Sequence, residues 1–146
     1  MNYDLVVKNG TIIDGSGGAR YRADVGVLDG KIASIGRIDS KKAKTIDAEG
    51  HVVSPGFVDG HTHMDAQIFW DPIGSCSCYH GVTSVVMGNC GFTLAPCREE
   101  EADMVFRSLE RAEDLSRDAM LAGIDWTWET FPEYLDAIDK LPKGIN

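Results

Sequence analysis

His61 and His63 flank a single threonine at the end of PGFVDGHTH, the run from Pro55 to His63. A Pro-Gly turn followed by an apolar stretch predicts a strand. Side chains on a strand alternate between faces, so His61 and His63 share one face with Asp59. Neutral imidazole is the commonest protein ligand for zinc, and two of them side by side on a rigid element make half of a metal site. A second run, GVTSVVMGNCG from Gly81 to Gly91, has Val85 and Val86 at its centre and Cys90 at its far end. It too reads as a strand, and a thiolate is a soft ligand that suits the same ion. Two parallel strands would deliver two imidazoles and one thiolate to a common rim. A divalent ion there polarises a carbonyl group and activates water, which is hydrolytic chemistry.

The elements that must position these groups follow from local signals. Residues 3–35 read as short strands with tight turns: Tyr3 to Lys8, the hairpin signal Asn9-Gly10, then Thr11 to Asp14. Beyond the loop Gly15 to Gly18 come Asp24–Leu28, the turn Asp29-Gly30 and Lys31–Ile35. A linker carrying Lys41, Lys42 and Lys44 precedes the strands Thr45–Asp47 and His51–Val53. Between the two histidine- and cysteine-bearing strands, Asp71 is placed to cap a short helix that starts at Pro72. After Pro96 a single helix is predicted from Glu99 to Leu121, with Val105, Leu109, Ala112 and Ala119 on its buried face and Gly123 ending it. A second helix starts at Thr130, with Glu133 completing a capping box. It packs through Tyr134, Leu135, Ile138 and Leu141.

PGFVDGHTH after a small β-rich segment resembles the amidohydrolase superfamily, whose first barrel strand carries a His-x-His metal motif. GVTSVVMGNCG narrows the resemblance to the branch of N-acyl-D-amino-acid deacylases related to D-aminoacylase, where a Cys after the second barrel strand is a metal ligand. The resemblance implies that His61, His63 and Cys90 are metal ligands for one or two zinc ions. It implies a small-molecule substrate, an N-acyl-D-amino acid, and hydrolysis of its amide C–N bond. The fold it implies is α/β: part of a small β-sandwich over residues 1–54, then the first two β/α units of a metal-dependent (β/α)8 barrel over residues 55–146. A barrel of this kind takes about 250 residues, so the chain is expected to be the truncated front of such an enzyme and inactive alone. Ile145-Asn146 would then open a third barrel strand, and the chain's missing partner would be the rest of the same barrel. The catalytic Asp that serves as proton shuttle would lie beyond Asn146. Alternatives are another cyclic-amide or deaminase amidohydrolase, many of which bridge their metals with a carboxylated Lys, or a non-catalytic metal-binding scaffold that keeps the motif.

The remaining candidates have simpler readings. Asp65, two residues past His63, belongs either to the site rim or to a cap or surface turn. Cys76 and Cys78 are spaced C-x-C, which is wrong for a zinc knuckle with Cys90 and Cys97, so they read as packing thiols. His51 reads as a strand residue, and His80 as a cation favouring the negative end of a short helix. The loop Gly15 to Gly18 lacks the Gly-x4-Gly-Lys-Ser/Thr pattern of a phosphate cradle. Trp126 and Trp128 read as core.

Composition is ordinary for a soluble globular protein: 43% hydrophobic, 25% charged, net charge −9 over 146 residues. The acidity is concentrated after Cys97, where residues 98–146 carry 6 basic and 13 acidic side chains, the mark of solvated helix faces. That balance argues against nucleic acid or an anionic membrane as partner. The first residues show neither the basic start nor the apolar core of a secretory signal, so a cytoplasmic location with four reduced Cys is expected.

Overall fold

The computed structural model describes residues 2–146. Five strands occupy the first part of the chain: β1 (Leu5–Ile12), β2 (Tyr21–Leu28), β3 (Lys31–Gly36), β4 (Lys44–Asp47) and β5 (Val52–Val53). They form one sheet in the order β3-β2-β1-β4, with β5 also paired to β1. β1 and β2, and β2 and β3, are antiparallel, whereas β4 and β5 lie parallel to β1. The β2–β3 hairpin turns at Asp29 and Gly30, both with positive φ, as the sequence predicts.

Asn9-Gly10 behaves differently from its hairpin prediction. β1 runs straight through it, and the dipeptide makes a bulge at which the pairing register with β2 shifts between Val7 and Gly10. Only Asn9 takes a left-handed φ, 61°, where a two-residue hairpin of the Asn-Gly type needs both residues there. Its N–H is received by Asp24 Oδ1 at 2.8 Å and its side-chain amide by Asp47 Oδ1 at 2.9 Å. Gly10 is required by packing, since a Cβ there would stand 2.5 Å from Val53 Cγ2. The loop from Gly15 to Gly18 is solvated, with Asp14 Oδ1 accepting the Ser16 amide and Ser16 Oγ accepting the Gly18 amide. Those amides are occupied by their own neighbours, and an acid stands among them, so a phosphate gains nothing there.

The chain divides into two units, the first ending at Pro55 and the second spanning Gly56–Asn146. In the second unit β6 (Phe57–Asp59) pairs in parallel with β7 (Val82–Val85). Between them lie two one-turn helices, α1 (Met64–Gln67) and α2 (Ser75–Cys78). Asp71 does cap α2, but from further upstream than predicted: its Oδ2 accepts from the Ser75 amide at 2.7 Å and the Ser75 hydroxyl at 2.8 Å, and Pro72 lies outside the helix. Gly56 lets the two strands start in contact, because a Cβ on it would fall 2.1–2.6 Å from the Thr83 side chain. At the chain's last residue the Asn146 amide donates to Thr83 O at 3.0 Å and its carbonyl accepts from the Val85 amide at 2.8 Å. Bracketing one residue in this way is parallel pairing.

The predicted long helix is broken. A 3-10 turn at Glu99–Glu101 leads into α3 (Ala102–Glu113), Asp114 closes it with a left-handed φ of 54°, and α4 (Arg117–Gly123) starts afresh. Ser116 caps α4 by accepting the Ala119 amide, and the first unbonded turn of a new helix is thereby satisfied. The break rotates the buried face: Ala102, Phe106 and Leu109 are buried, Val105 is half-buried, and Ala112 and Ala119 face solvent. α5 (Phe131–Asp139) carries the predicted capping box of Thr130 and Glu133, burying Tyr134 and Ile138 while leaving Leu135 exposed.

The core of this unit gathers Met64, Ile68, Leu94, Leu109 and Met120, none more than 2% exposed. An aromatic stack runs through it. Trp128 lies between Phe69 and Trp126, with centroids at 4.9 and 4.7 Å, and Tyr134 meets it edge-on at 5.2 Å. The Trp128 indole N–H donates to the Leu94 carbonyl at 2.8 Å, tying the segment after Cys90 to the helical layer. Trp128 is a core residue, as its sequence context predicts, and Trp126 is partly buried against that core. No described helix is long and apolar enough to cross a membrane.

Candidate metal centre

The strand that carries the His-x-His motif is shorter than predicted. β6 ends at Asp59, and Gly60 to His63 form a bend, with His63 standing just ahead of α1. The alternation of side chains nevertheless persists through the bend, held by a bond to the neighbouring strand's end. Thr62 is 8% exposed and donates its hydroxyl to the Val86 carbonyl at 3.0 Å, just past β7. Pinning the middle residue inward turns His61 and His63 outward together, their ring centroids 6.0 Å apart. Asp59 braces the bend by accepting the His61 amide on Oδ1 at 3.1 Å.

Cys90 also lies past its strand, in a turn bounded by Gly88 and Gly91, both at positive φ and joined by a Gly91 N–H to Gly88 O bond of 3.2 Å. Asn89 ties this turn to the histidine bend, its amide donating to the Gly60 carbonyl at 2.6 Å. The Cys90 sulfur stands 3.4 Å from His63 Nδ1 and 3.5 Å from the Phe92 amide. One ligand atom each from His61, His63 and Cys90 lie within 4.8 Å of one another, the one such group of three or more His, Cys, Asp or Glu among the described residues. Donor atoms that share one tetrahedral zinc through bonds of about 2.0–2.3 Å stand about 3.3–3.8 Å apart. Cys90 and His63 already do, the wider 4.8 Å spread of the three closes with a side-chain shift of about 1 Å, and two imidazoles with one thiolate are donors that suit zinc. The donor set fits the ion.

Other groups stand around this cluster. Asp65 is 2% exposed, in the first turn of α1 instead of on a surface turn, and neither of its carboxylate oxygens has a hydrogen-bond partner among the described residues. Burial pushes its carboxyl up to about 6, against the opposing pull of its own backbone amide, of His63 and of the Ala66 amide. Tyr134 donates its hydroxyl to the Asp65 carbonyl at 2.9 Å, and burial first, then the nearby Asp65 charge, raises that phenol above its usual range. On the other side of His63, Nε2 meets Glu113 Oε2 at 2.9 Å. Sequence reasoning missed Glu113. The sequence held no signal for it, since the predicted helix runs on to Leu121 and only the structure makes Glu113 the last residue of α3.

The other candidates lie elsewhere. Cys78 and Cys97 are half-buried, whereas Cys76, predicted to pack, is exposed on the one-turn helix α2; all three are free thiols outside the cluster. His80 lies beyond the end of α2 with Nδ1 2.8 Å from the Cys76 carbonyl, and His51 is exposed with Nδ1 3.0 Å from the Glu49 carbonyl.

Comparison with known proteins gives the arrangement a lineage. The D-aminoacylase of Alcaligenes xylosoxydans xylosoxydans is 37% identical over 145 residues, a match that takes in 99% of this chain and 28% of that enzyme. A crystal structure of the N-acyl-D-glutamate deacylase of Bordetella bronchiseptica, complexed with zinc and a phosphonate mimic of the tetrahedral intermediate, superposes with a TM-score of 0.77 at 34% identity. It covers 100% of this chain and 28% of that one. A D-aminoacylase structure described for its binuclear metal centre gives a TM-score of 0.77 at 34% identity, over 99% of this chain and 28% of the other. The chain thus has the α/β fold of the matched part of these enzymes and spans about a quarter of the length of the curated relatives it matches. The sequence profile of the amidohydrolase family matches residues 44–145, and the chain belongs to that family.

Proposed function

We propose that the protein carrying this sequence is a zinc-dependent hydrolase that cleaves the amide C–N bond of N-acyl-D-amino acids, and that His61, His63 and Cys90 hold the metal. The observation that carries the reading is the convergence of those three side chains within 4.8 Å. Similarity to D-aminoacylase and to the zinc-complexed N-acyl-D-glutamate deacylase supports the substrate class. Zinc, when bound, supplies Lewis-acid polarisation of the scissile carbonyl.

The chain's own residues orient that chemistry. Thr62 fixes the direction of both imidazoles through Val86, and Asn89 fixes the distance between the histidine bend and the cysteine turn through Gly60. Cys90 must be a thiolate to ligate. By this reading residues 1–54 belong to a β-sandwich and residues 55–146 open the barrel, whose remaining strands complete the site. The matched relatives share only about a quarter of their length with the chain, so the activity is that of the whole protein.

The test is release of free D-amino acid from N-acetyl-D-glutamate and N-acetyl-D-methionine by the whole protein, before and after chelation and after zinc is restored. Zinc-restored release specific to the D-isomers is expected. Hydrolysis of a hydantoin ring with no action on acyclic amides would instead assign the protein to a cyclic amidase.

A further inference from the structure

The contact between His63 and Glu113 joins two side chains that keep some access to solvent, at 24% and 29% exposure. It brings a carboxylate to the last residue of α3, the end of a helix where carbonyl dipoles point and a negative charge is disfavoured. The placement is therefore locally unfavourable and needs a partner to offset it. That partner is one nitrogen of an imidazole whose other nitrogen, Nδ1, faces the Cys90 sulfur at 3.4 Å.

An imidazole that ligates a metal through one nitrogen carries its proton on the other, and a carboxylate accepting that proton's hydrogen bond fixes both tautomer and ring orientation. We propose that Glu113 is a positioning residue for the metal centre: it accepts the Nε2–H of His63 and so presents Nδ1, beside Cys90, as the ligand atom. Glu113 is not itself a ligand, because it lies outside the mutually close set of His61, His63 and Cys90. The αL residue Asp114 ends α3 directly after Glu113 and sets where that carboxylate falls. This inference rests on the metal-site reading above. It adds that a residue distant in sequence, on a helix, controls how the His-x-His motif presents its second histidine.

The experiment compares Glu113→Gln and Glu113→Met with His63→Ala and Cys90→Ala in the whole protein, using cobalt as the probe. Metal affinity is read by chelator competition, ligation by the thiolate-to-cobalt charge-transfer band and the ligand-field bands, and the apo-protein by its melting temperature. Glu113→Met keeps a similar volume without an acceptor, and a loss of about 10–100-fold in affinity is expected with shifted ligand-field bands and little change in the apo melt. Glu113→Gln keeps a neutral acceptor, so a loss of only a few-fold is expected. If the Met variant does not fold, the Gln variant decides alone: affinity and spectrum equal to the parent overturn the proposal. Unchanged affinity and spectrum in Glu113→Met, while His63→Ala and Cys90→Ala both lose metal, overturn the role of Glu113 and leave the metal site standing. Full cobalt binding in His63→Ala and Cys90→Ala would overturn the metal site itself.

Discussion

Replacing each of the four cysteines by alanine separates a metal thiolate from packing thiols. Only the Cys90 sulfur converges with His61 and His63. The Cys76 sulfur instead sits 2.9 Å from Gln67 Nε2, that of Cys78 3.9 Å from the Ser75 carbonyl, and that of Cys97 3.4 Å from the Arg98 carbonyl. Structural zinc sites with four ligands bind with about 10–16 kcal/mol, or about 2.5–4 kcal/mol per ligand if shared evenly. At about 1.4 kcal/mol per factor of ten, losing Cys90 should weaken zinc binding by roughly two to three orders of magnitude. The cost to folding is far smaller. The Cys90 side chain is half-buried, and removing one group of methylene size from such a place costs no more than about 0.8 kcal/mol. The assay is zinc content by elemental analysis after dialysis against a graded chelator, with a urea melt of each apo-variant beside it. Cys90→Ala should lose zinc at chelator concentrations that leave the other three variants loaded, with all four melts close to the parent. Equal zinc loss across the four variants, or loss tracking the melts, would refute the assignment of Cys90 as the ligand.

Three further outcomes follow from the packing. Trp128→Phe should cost about 1–3 kcal/mol in a urea melt, because the buried indole donor to Leu94 disappears and leaves that carbonyl unpaired; an unchanged midpoint would mean the carbonyl finds another donor. Gly56→Ala should destabilise by about 1–3 kcal/mol through its collision with Thr83, and Thr83→Gly in the same chain should recover most of the loss, so a failure to recover would place the strain elsewhere. For Asp71, burial raises the carboxyl pKa, but hydrogen bonds from the Ser75 hydroxyl, the Ser75 amide and Gln67 outweigh it and leave the group below the usual carboxylate range. A lowered folded pKa contributes stability that is present above the unfolded value, near 3.9, and is lost as pH falls through the folded one. Amide exchange across Ser75–Cys78 should therefore accelerate as pH drops below about 4 once corrected for its intrinsic rate. In Asp71→Ala it should already be fast at neutral pH, and equal protection in both proteins would exclude the cap.

That His61, His63 and Cys90 would come together was legible in the sequence because each sits beside an unambiguous local signal: a strand entered from Pro55-Gly56, and Gly88 and Gly91 around Asn89-Cys90. The elements carrying them were less so. A period-two reading extends β6 through His63, whereas the hydrogen bonds end it at Asp59, and Thr62 preserves the alternation only through a side-chain bond to Val86. That contact joins residues on two different strands' ends, and nothing local announces it. The Asn9-Gly10 bulge fails in the same way, since Asn-Gly encodes a positive φ but the choice between turn and bulge is made by Asp24, Asp47 and Val53. The helix break at Asp114 was hidden by continuous helical periodicity on either side, and it is the break that brings α3 to an end at Glu113.

Several of the residues at which local and long-range determinants disagree stand around the candidate site. Thr62, Asn89, Glu113 and Asp114 each depart from what their own segment prefers. A threonine is buried, an asparagine spends its amide on a distant carbonyl, an acid ends a helix and an aspartate turns left-handed. The Asp29-Gly30 hairpin and the Thr130–Glu133 box follow their local signals, whereas the Asn9-Gly10 bulge departs from its own for packing reasons. A sequence departs from local consistency where some other requirement outweighs it, and functional sites are where such departures are expected. Asp65 extends the same argument. A buried carboxyl with neither oxygen hydrogen-bonded among the described residues is costly to keep ionised, and burial pushes this one up to about 6 although His63 pulls the other way. It stands two residues past His63, in the first turn of α1, and is one more departure in the segment that carries both histidines.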